Sequence, residues 1–320
     1  MPTIRDVARQ AGVGVGTVSR YFNGGYVSEK NRQRILSAIR DLDYRLNEVA
    51  RTLSTGRSWS IGLIIPDLLN PFYPILIHGV EDVCKSVGVA VILVHTAEDV
   101  TSLPRLLRSV EQRGVDAIVC AAGKVDPGAT AIPLIMVDRV GQQTSFDAVS
   151  TDHMEGGRLA ARYLISRGHS RILFLSVALE NVGVELRWQG FRDALEEQGI
   201  TPMTVAGQRM DFQHGYHLAR AAIRDLRPTA VFAANDLMAL GVIRAATESG
   251  LRVPEDLSVI GFDGIDLSDY VTPPLTTVAQ PIYELGVHAA RLALSRAYEG
   301  NNGPNQKLKL PPQLIVRGSG

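Results

Sequence analysis

Cysteine is nearly absent: Cys84 and Cys120 are the only two in 320 residues. Two thiols make neither a disulfide framework nor a zinc cluster, so the fold must rest on apolar burial, and a reducing compartment is expected. No run of about 20 apolar residues occurs, which excludes a membrane-spanning helix. The opening MPTIRDVARQ holds no apolar stretch behind a basic start, so no export signal is expected and the predicted location is cytoplasmic. Enzyme signatures are missing as well: there is no G-x-S-x-G, no H-E-x-x-H and no P-loop. The seven histidines are scattered. His214 and His217 can share a helix face but find no third ligand, so neither metal nor cofactor is expected.

Net charge is also lacking, with 33 Lys+Arg against 33 Asp+Glu. The balance conceals an asymmetry. The first 58 residues carry ten basic and five acidic side chains, and the remaining 262 carry 23 and 28. A small basic head on a larger acidic body suits a polyanion-binding module joined to a second domain. Hydrophobic residues make up 45% of the chain, enough for the cores of two or three units.

In the head, Thr3-x-x-Asp6 has the form of a capping box, and Ile4, Val7, Ala8 and Ala11 follow helical spacing. Gly12 marks a tight turn. A second helix is predicted from Val15 to Phe22, stopped by Asn23, Gly24 and Gly25. A third starts at the cap Ser28 and runs through Ile35, Leu36, Ile39 and Leu42. Three short helices with a glycine turn between the first two predict a helix-turn-helix. Gly12, Gly14 and Gly16 do not form a dinucleotide loop, because the spacing is G-x-G-x-G and a helix precedes it. A further short helix over NEVARTLSTG would have Asn47 as its cap, with Val49, Ala50 and Leu53 on one face. It is too short to be stable alone.

From Ser60 onward the pattern changes. Short apolar runs (IGLIIPD, AVILVHT, DAIVCAAG, PLIMVDR, RILFLSV, TAVFAAND, SVIGFDG) alternate with amphipathic stretches such as residues 72–88, 153–167, 185–198, 212–226 and 236–249. This predicts an α/β body with parallel sheets, large enough for two lobes. Ligands of such sheets sit beyond the strands' carboxyl ends. Asp138, Arg139, Asn235, Asp236 and Asp263 fall there, with Asn70, Pro71, Phe72 and Tyr73 near the first strand. Carboxylates, an amide, a guanidinium and aromatic faces suit a polyhydroxylated sugar. Asp236 equally suits a helix cap, and Asp138–Arg139 an internal ion pair.

The ordered run TIRDVARQAGVGVGTVSRYFN, VSEKNRQRI, LDYRLNEVARTL and SIGLIIPD resembles the lactose-repressor (LacI/GalR) family of bacterial transcription regulators, and the likeness extends along the whole chain. It implies a small all-α head (1–46), a hinge helix and linker (47–58), and an effector-binding and dimerisation body (59–320). That body would have two Rossmann-like lobes of periplasmic-binding-protein type, about 59–150 with 281–302 and about 151–280 with 303–320.

The resemblance places Thr3, Val15, Gly16, Thr17, Ser19, Arg20, Asn23, Ser28, Asn47, Ala50 and Leu53 against DNA, Leu53 as a wedge between base pairs. It places Asn70, Phe72, Tyr73, Asp138, Arg139, Arg187, Phe212, Asn235, Asp263 and Gln280 around an effector. The implied partners are a near-palindromic double-stranded operator, a monosaccharide resembling ribose, and a second copy of the chain. A nucleoside or purine effector stays open, as does, more remotely, a transport-type sugar-binding protein.

Several positions depart from the family pattern. Gly14 stands where a serine cap is usual, Val15 and Gly16 stand at base-reading positions, and Leu46 replaces a proline. Only KVDPGATAI separates two consecutive strand runs, so the usual crossover helix there is expected to be missing or reduced to a turn. The tail, with a strand expected over 313–317, has no leucine heptad for a tetramerising coiled coil.

Overall fold

The computed structural model describes residues 2–22, 25–44, 56–97, 99–138, 145–177 and 182–320. The chain divides into two units, Met1–Ser58 and Trp59–Gly320.

In the first unit Thr3 opens α1 (Ile4–Ala11). The Asp6 carboxylate accepts the Thr3 N–H at 2.9 Å and the Thr3 hydroxyl at 2.8 Å, which satisfies a donor that the helix start would otherwise leave orphaned. Gly12 ends the helix at φ +64°, where a side chain would be strained. Val13 donates its N–H to the Ala8 carbonyl at 3.0 Å and Gly12 to that of Arg9 at 3.3 Å, closing a Schellman turn. α2 (Val15–Phe22) and α3 (Glu29–Asp41) follow. Ser28 precedes α3 as expected, but its side chain makes no capping hydrogen bond. Val7, Ala8, Ala11, Val18, Ile35 and Ala38 form the core, which is the apolar stripe of each helix turned inward.

The second unit holds two six-stranded sheets. β1 (Ser60–Ile65), β2 (Ala90–His95), β3 (Ala117–Cys120), β4 (Leu134–Val137), β5 (Asp147–Thr151) and β11 (Lys307–Leu310) form the first, in the order β11-β5-β4-β3-β1-β2. All its neighbouring strands are parallel. β6 (Ile172–Val177), β7 (Met203–Gly207), β8 (Ala230–Ala233), β9 (Ser258–Asp263), β10 (Thr276–Ala279) and β12 (Gln313–Ile315) form the second, in the order β12-β10-β9-β8-β6-β7. Only β12 runs antiparallel to its neighbour. Strands such as β1, β3 and β8 are buried on both faces, which is why they read as unbroken apolar runs.

Helices α4 (Phe72–Ser86), α5 (Leu103–Gln112) and α11 (Ile282–Tyr298) pack on the first sheet. Helices α6 (His153–Ser166), α7 (Val182–Glu196), α8 (Phe212–Leu226) and α9 (Asp236–Glu248) pack on the second. The short α10 (Leu267–Tyr270) follows β9. The helix pairs cross at reciprocal glycines. A Cβ on Gly157 of α6 would stand 2.1 Å from the Arg187 carbonyl of α7, and one on Gly190 of α7 would stand 1.9 Å from the Met154 carbonyl of α6. The backbones touch there, and no side chain fits between them. Gly79 with Gly286, and Gly215 with Gly241, serve α4–α11 and α8–α9 in the same way.

The connection from β3 to β4 carries no helix, as its length required. Val125, Ala129 and Ile132 of this loop pack on the sheet face in the helix's place. The Glu111 carboxylate of α5 accepts the Ala131 N–H at 3.1 Å and holds the loop down.

The chain from about residue 303 does not lie wholly in the second lobe as its sequence suggests: β11 pairs with β5 from Lys307↔Ala148 to Leu310↔Thr151. Only β12 joins the second sheet. The cause is Arg296 near the end of α11. Its Nε and Nη2 donate to the Asp147 carboxylate at 2.8 and 2.9 Å, and its remaining N–H groups donate to the carbonyls of Asn301, Gly303 and Pro304 at 2.7 to 2.8 Å. The chain after α11 is thereby folded back onto the β5 edge. No helix among the described residues is long and apolar enough to cross a membrane.

Arg296 and Asp147 are 8% and 5% exposed. Removing one member of a buried pair leaves the other charge unpaired, so Arg296→Ala is expected to cost about 3 kcal/mol in urea unfolding. A loss under about 1 kcal/mol would class the pair with ordinary surface ion pairs.

Candidate functional site

The outer face of α2 is polar. Val18 is fully buried, while Val15 is 43% exposed and Gly16 and Arg20 are exposed. Thr17 and Ser19 are half-buried on the flanks of the helix. Thr3 and Ser28 are exposed at the starts of α1 and α3. A Cβ on Gly16 would meet nothing within 4 Å, so this stretch of helix offers its backbone directly to a partner. The Gly14 carbonyl accepts the N–H groups of Thr17 and Val18, at 2.8 and 3.3 Å, with no side-chain cap to assist. Arg20 Nε donates to the Gly16 carbonyl at 3.4 Å. Asn23, Asn47, Ala50 and Leu53, together with the expected hinge helix, lie outside the described residues.

In the second unit the candidate residues take different parts. Asn70 turns the chain from β1 into α4 by accepting the Phe72 N–H at 3.0 Å. Phe72 and Tyr73, 5% and 8% exposed, meet edge to face at 5.1 Å and belong to the core of the first sheet. Phe212, 36% exposed, lines a shallow depression with Gln213, Tyr216, Arg244 and Glu248.

The other candidates form one charged cluster. Asp138 follows β4 at φ +57°. Its Oδ1 lies 2.8 Å from His153 Nε2 and accepts the Thr151 N–H at 3.3 Å. Arg139, and with it the ion pair considered for Asp138–Arg139, lies outside the described residues; Asp138 meets His153. Arg187, 4% exposed, donates from Nε to His153 Nδ1 at 3.2 Å and from Nη1 to the Ala234 carbonyl. Its guanidinium lies 3.7 Å over the Phe262 ring, a cation–π contact strengthened by desolvation. Gln280 Nε2 donates to Asp263 Oδ1 at 2.7 Å, and Gln280 Oε1 is buried without a hydrogen-bond partner.

Asn235 and Asp236 exchange their expected roles. Asn235 is the cap of α9: its Oδ1 accepts the Met238 N–H at 2.9 Å, and its Nδ2 donates to the Met210 carbonyl at 3.0 Å. Its extended φ of −149° suits a residue just outside a helix. Asp236 instead turns inward. It accepts the Gly264 and Ile265 N–H groups at 2.8 and 3.0 Å and the Ser268 and Thr277 hydroxyls at 2.8 and 2.5 Å. These four bonds tie α9 to the loop after β9, to α10 and to β10.

The carboxyls differ in their proton affinity. Burial alone would raise Asp138, but His153, Arg187 and the Thr151 N–H outweigh it and hold the group below the ordinary carboxylate range. Burial pushes Asp263 well up, against the pull of Arg187 and with the help of the neighbouring Asp236 and Asp138 charges. Burial likewise raises Asp236 in spite of its four donors. Asp263 also sits at φ +124°, a strained conformation of the kind that gathers at functional sites.

Residue types and strand ends pointed to Asp138, Asp263 and Asn235. His153 was read only as one of seven scattered histidines. Its signal was its position: like Asn235, it lies at the junction of a strand and the following helix. Among the described residues no group of three or more His, Cys, Asp or Glu side chains is arranged to hold a metal ion.

Comparison with known proteins matches residues 3–47 to "Bacterial regulatory proteins, lacI family" and residues 161–320 to "Periplasmic binding protein-like domain". A ribose operon repressor of Halalkalibacterium halodurans is 35% identical, over 99% of this chain and 96% of its own length. A LacI-family regulator from Enterococcus faecium, crystallised with bound ribose, is 34% identical at a TM-score of 0.74, covering 81% of this chain and 98% of that one. The lac repressor dimer bound to operator and an anti-inducer is 29% identical at a TM-score of 0.88, covering 99% of this chain and 98% of that one.

The raised carboxyls bind a proton more firmly folded than unfolded. Their contribution to stability is therefore full below the ordinary unfolded value of about 4 and declines as pH rises through the folded value. Asp263→Asn keeps an oxygen for Gln280 and cannot ionise. Its urea midpoint is expected to fall less with pH, between about 4 and 8, than that of the parent chain. Equal slopes in the two proteins would assign the titration to another group.

Proposed function

The chain belongs to the lacI family of bacterial regulatory proteins, and from this premise we propose that it is a sequence-specific transcriptional repressor. Its operator affinity is set by a small ribose-like sugar held in the cleft of the second unit. It acts by binding rather than catalysis, in the cytoplasm, as a homodimer whose two heads meet the two halves of a near-palindromic site. The observation that carries this reading is the cluster of half-buried Asp138 with buried Arg187, Asp263 and Gln280, in a chain related over 99% of its length to a ribose operon repressor. Alternating carboxylate, guanidinium and amide groups supply the acceptors and donors that successive sugar hydroxyls require.

The polar face of α2 supports the head's role. Thr17, Ser19 and Arg20 carry hydroxyl and guanidinium donors for phosphates and base edges, and Thr3, Asn23 and Ser28 add further polar groups of the head. Val15 offers an apolar contact, and Gly16 lets the backbone come close. Asn47 and Ala50 belong to the hinge, and Leu53 is the wedge that opens a base step in the minor groove. The remaining effector residues are Asn70, Phe72, Tyr73, Arg139, Phe212 and Asn235. Sugar shifts the protein between two states of unequal operator affinity, and this difference is the whole of its effect.

A gel shift on the chain's own promoter region tests this reading. Binding should be specific and should weaken steeply between about 50 and 200 mM salt, as phosphate neutralisation requires. D-ribose should raise the melting temperature by mass action and change operator affinity. Arg187→Ala should abolish both sugar effects and keep operator binding. Leu53→Ala should weaken specific binding on the order of tenfold, and nonspecific binding less. A purine that raises the melting temperature where ribose does not would overturn the sugar assignment.

A further inference from the structure

The second unit opens on Trp59, the residue immediately before β1. Its φ is +54°. The left-handed region is costly for so large a side chain, because Cβ is pressed toward the following carbonyl oxygen. Glycine is the ordinary occupant of such a position. Strain of this kind persists only where the surroundings dictate it, and it gathers at functional sites.

Three elements hold Trp59. Asp116, immediately before β3, accepts the Trp59 N–H at 2.7 Å and the Ser60 N–H at 3.4 Å on one oxygen. The Trp59 carbonyl accepts the N–H of Ala90, at the start of β2, at 2.8 Å. The indole stacks on Tyr298, the last residue of α11, with ring centres 4.9 Å apart and planes 9° from parallel. The Tyr298 hydroxyl donates to the same Asp116 oxygen at 2.6 Å. Donor, acceptor and ring of one residue are thus tied to different parts of the first lobe.

The platform beneath the indole is firm. α11 meets α4 backbone to backbone at Gly79 and Gly286, and Trp59 and Tyr298 both pack against the core of the first sheet. Trp59 and Asp116 stand before the amino ends of β1 and β3, whereas Asp138 follows the carboxyl end of β4. The clamp therefore lies at the other end of the parallel strands from the charged cluster. β1 begins at Ser60, so the left-handed residue turns the chain ahead of the strand. That chain is the segment 47–58, read from the sequence as hinge and linker.

We propose that Trp59 is a positioning residue for operator binding: its stack on Tyr298 and its bond to Asp116 hold the backbone left-handed and set the direction in which the linker leaves the body. The operator part of this proposal rests on reading the chain as a repressor. Two heads reach two half-sites only from a defined starting geometry, and affinity falls with the fraction of molecules that holds it. Release of a strained residue into its preferred conformation corresponds to roughly tenfold in that fraction.

The test uses the full chain. Trp59→Ala loses the stack but keeps a Cβ, so the residue relaxes out of the left-handed region. Affinity for the chain's own promoter DNA in a gel shift should fall about tenfold, while the melting response to D-ribose stays that of the parent. Trp59→Phe, which can still stack on Tyr298, should bind within about threefold of the parent. A Trp59→Ala protein that grips the operator as the parent does would overturn the proposal. So would equal losses of operator and sugar binding, or a loss that phenylalanine does not repair.

A second readout needs neither DNA nor sugar. Tyr298→Leu removes the platform and leaves the sequence around Arg57 intact. Trypsin should cut after Arg57 about tenfold faster in this variant than in the parent, because cleavage requires the flanking chain to leave its place. Equal cleavage rates would sink the clamp. A parent chain with no preference for its own promoter would overturn the repressor reading alone, and the cleavage rates would then decide the clamp by themselves.

Discussion

Charge withdrawn from water must find a partner, and the second unit is organised around that requirement. Three carboxylates, one guanidinium and one imidazole lie within a few bonds of each other beyond the strand ends. An isolated ion there would be prohibitively costly. The carboxylates are instead met by backbone N–H groups, hydroxyls, the Gln280 amide or the His153 ring, and the guanidinium by a backbone carbonyl and a ring nitrogen, and the partners come from different elements. Asp236 draws on the loop after β9, on α10 and on β10. Arg187 reaches the carbonyl that follows β8. Meeting the demand of these charges therefore fixes the loops relative to one another. The same preorganisation suits a ligand rich in hydroxyls, which brings donors and acceptors of its own.

Around this polar centre the packing is strict. The paired glycines bring helix backbones into contact, so each helix pair behaves as one block on its sheet. Where the β3–β4 connection lacks a helix, apolar loop residues cover the exposed strand face. Each helix pair is thereby held against its own sheet with no room for a side chain at its crossing.

Much of this was legible in the sequence, and the misses have physical causes. The spacing of Val7, Ala8 and Ala11, and of Val15, Val18 and Phe22, located α1 and α2 closely because an apolar stripe needs only local information. The same holds for β1, β6 and β9, whose continuous apolar runs advertise burial on both faces. β11, with the sequence KLKL, was missed because an edge strand buries little and keeps its lysines in water. In the sequence Asp236 suits a cap as well as a ligand, and Asn235 reads as a ligand alone. Their actual roles depend on backbone geometry and on hydroxyls some 30 to 40 residues further along the chain. His153 was illegible for the same reason: its partners stand 15 residues before it and 34 after it.

The order of strands along the chain has a consequence for biosynthesis. The first sheet takes its last strand from residues 307–310 and the second from residues 313–315, while Ser319 donates its hydroxyl to the Val259 carbonyl at 2.6 Å. Neither half of the body can be finished while these residues are still inside the ribosome. The head needs only its own three helices and can fold as it emerges. A nascent chain thus presents a folded nucleic-acid-binding module well before the part that regulates it is complete, and both lobes await the same closing segment.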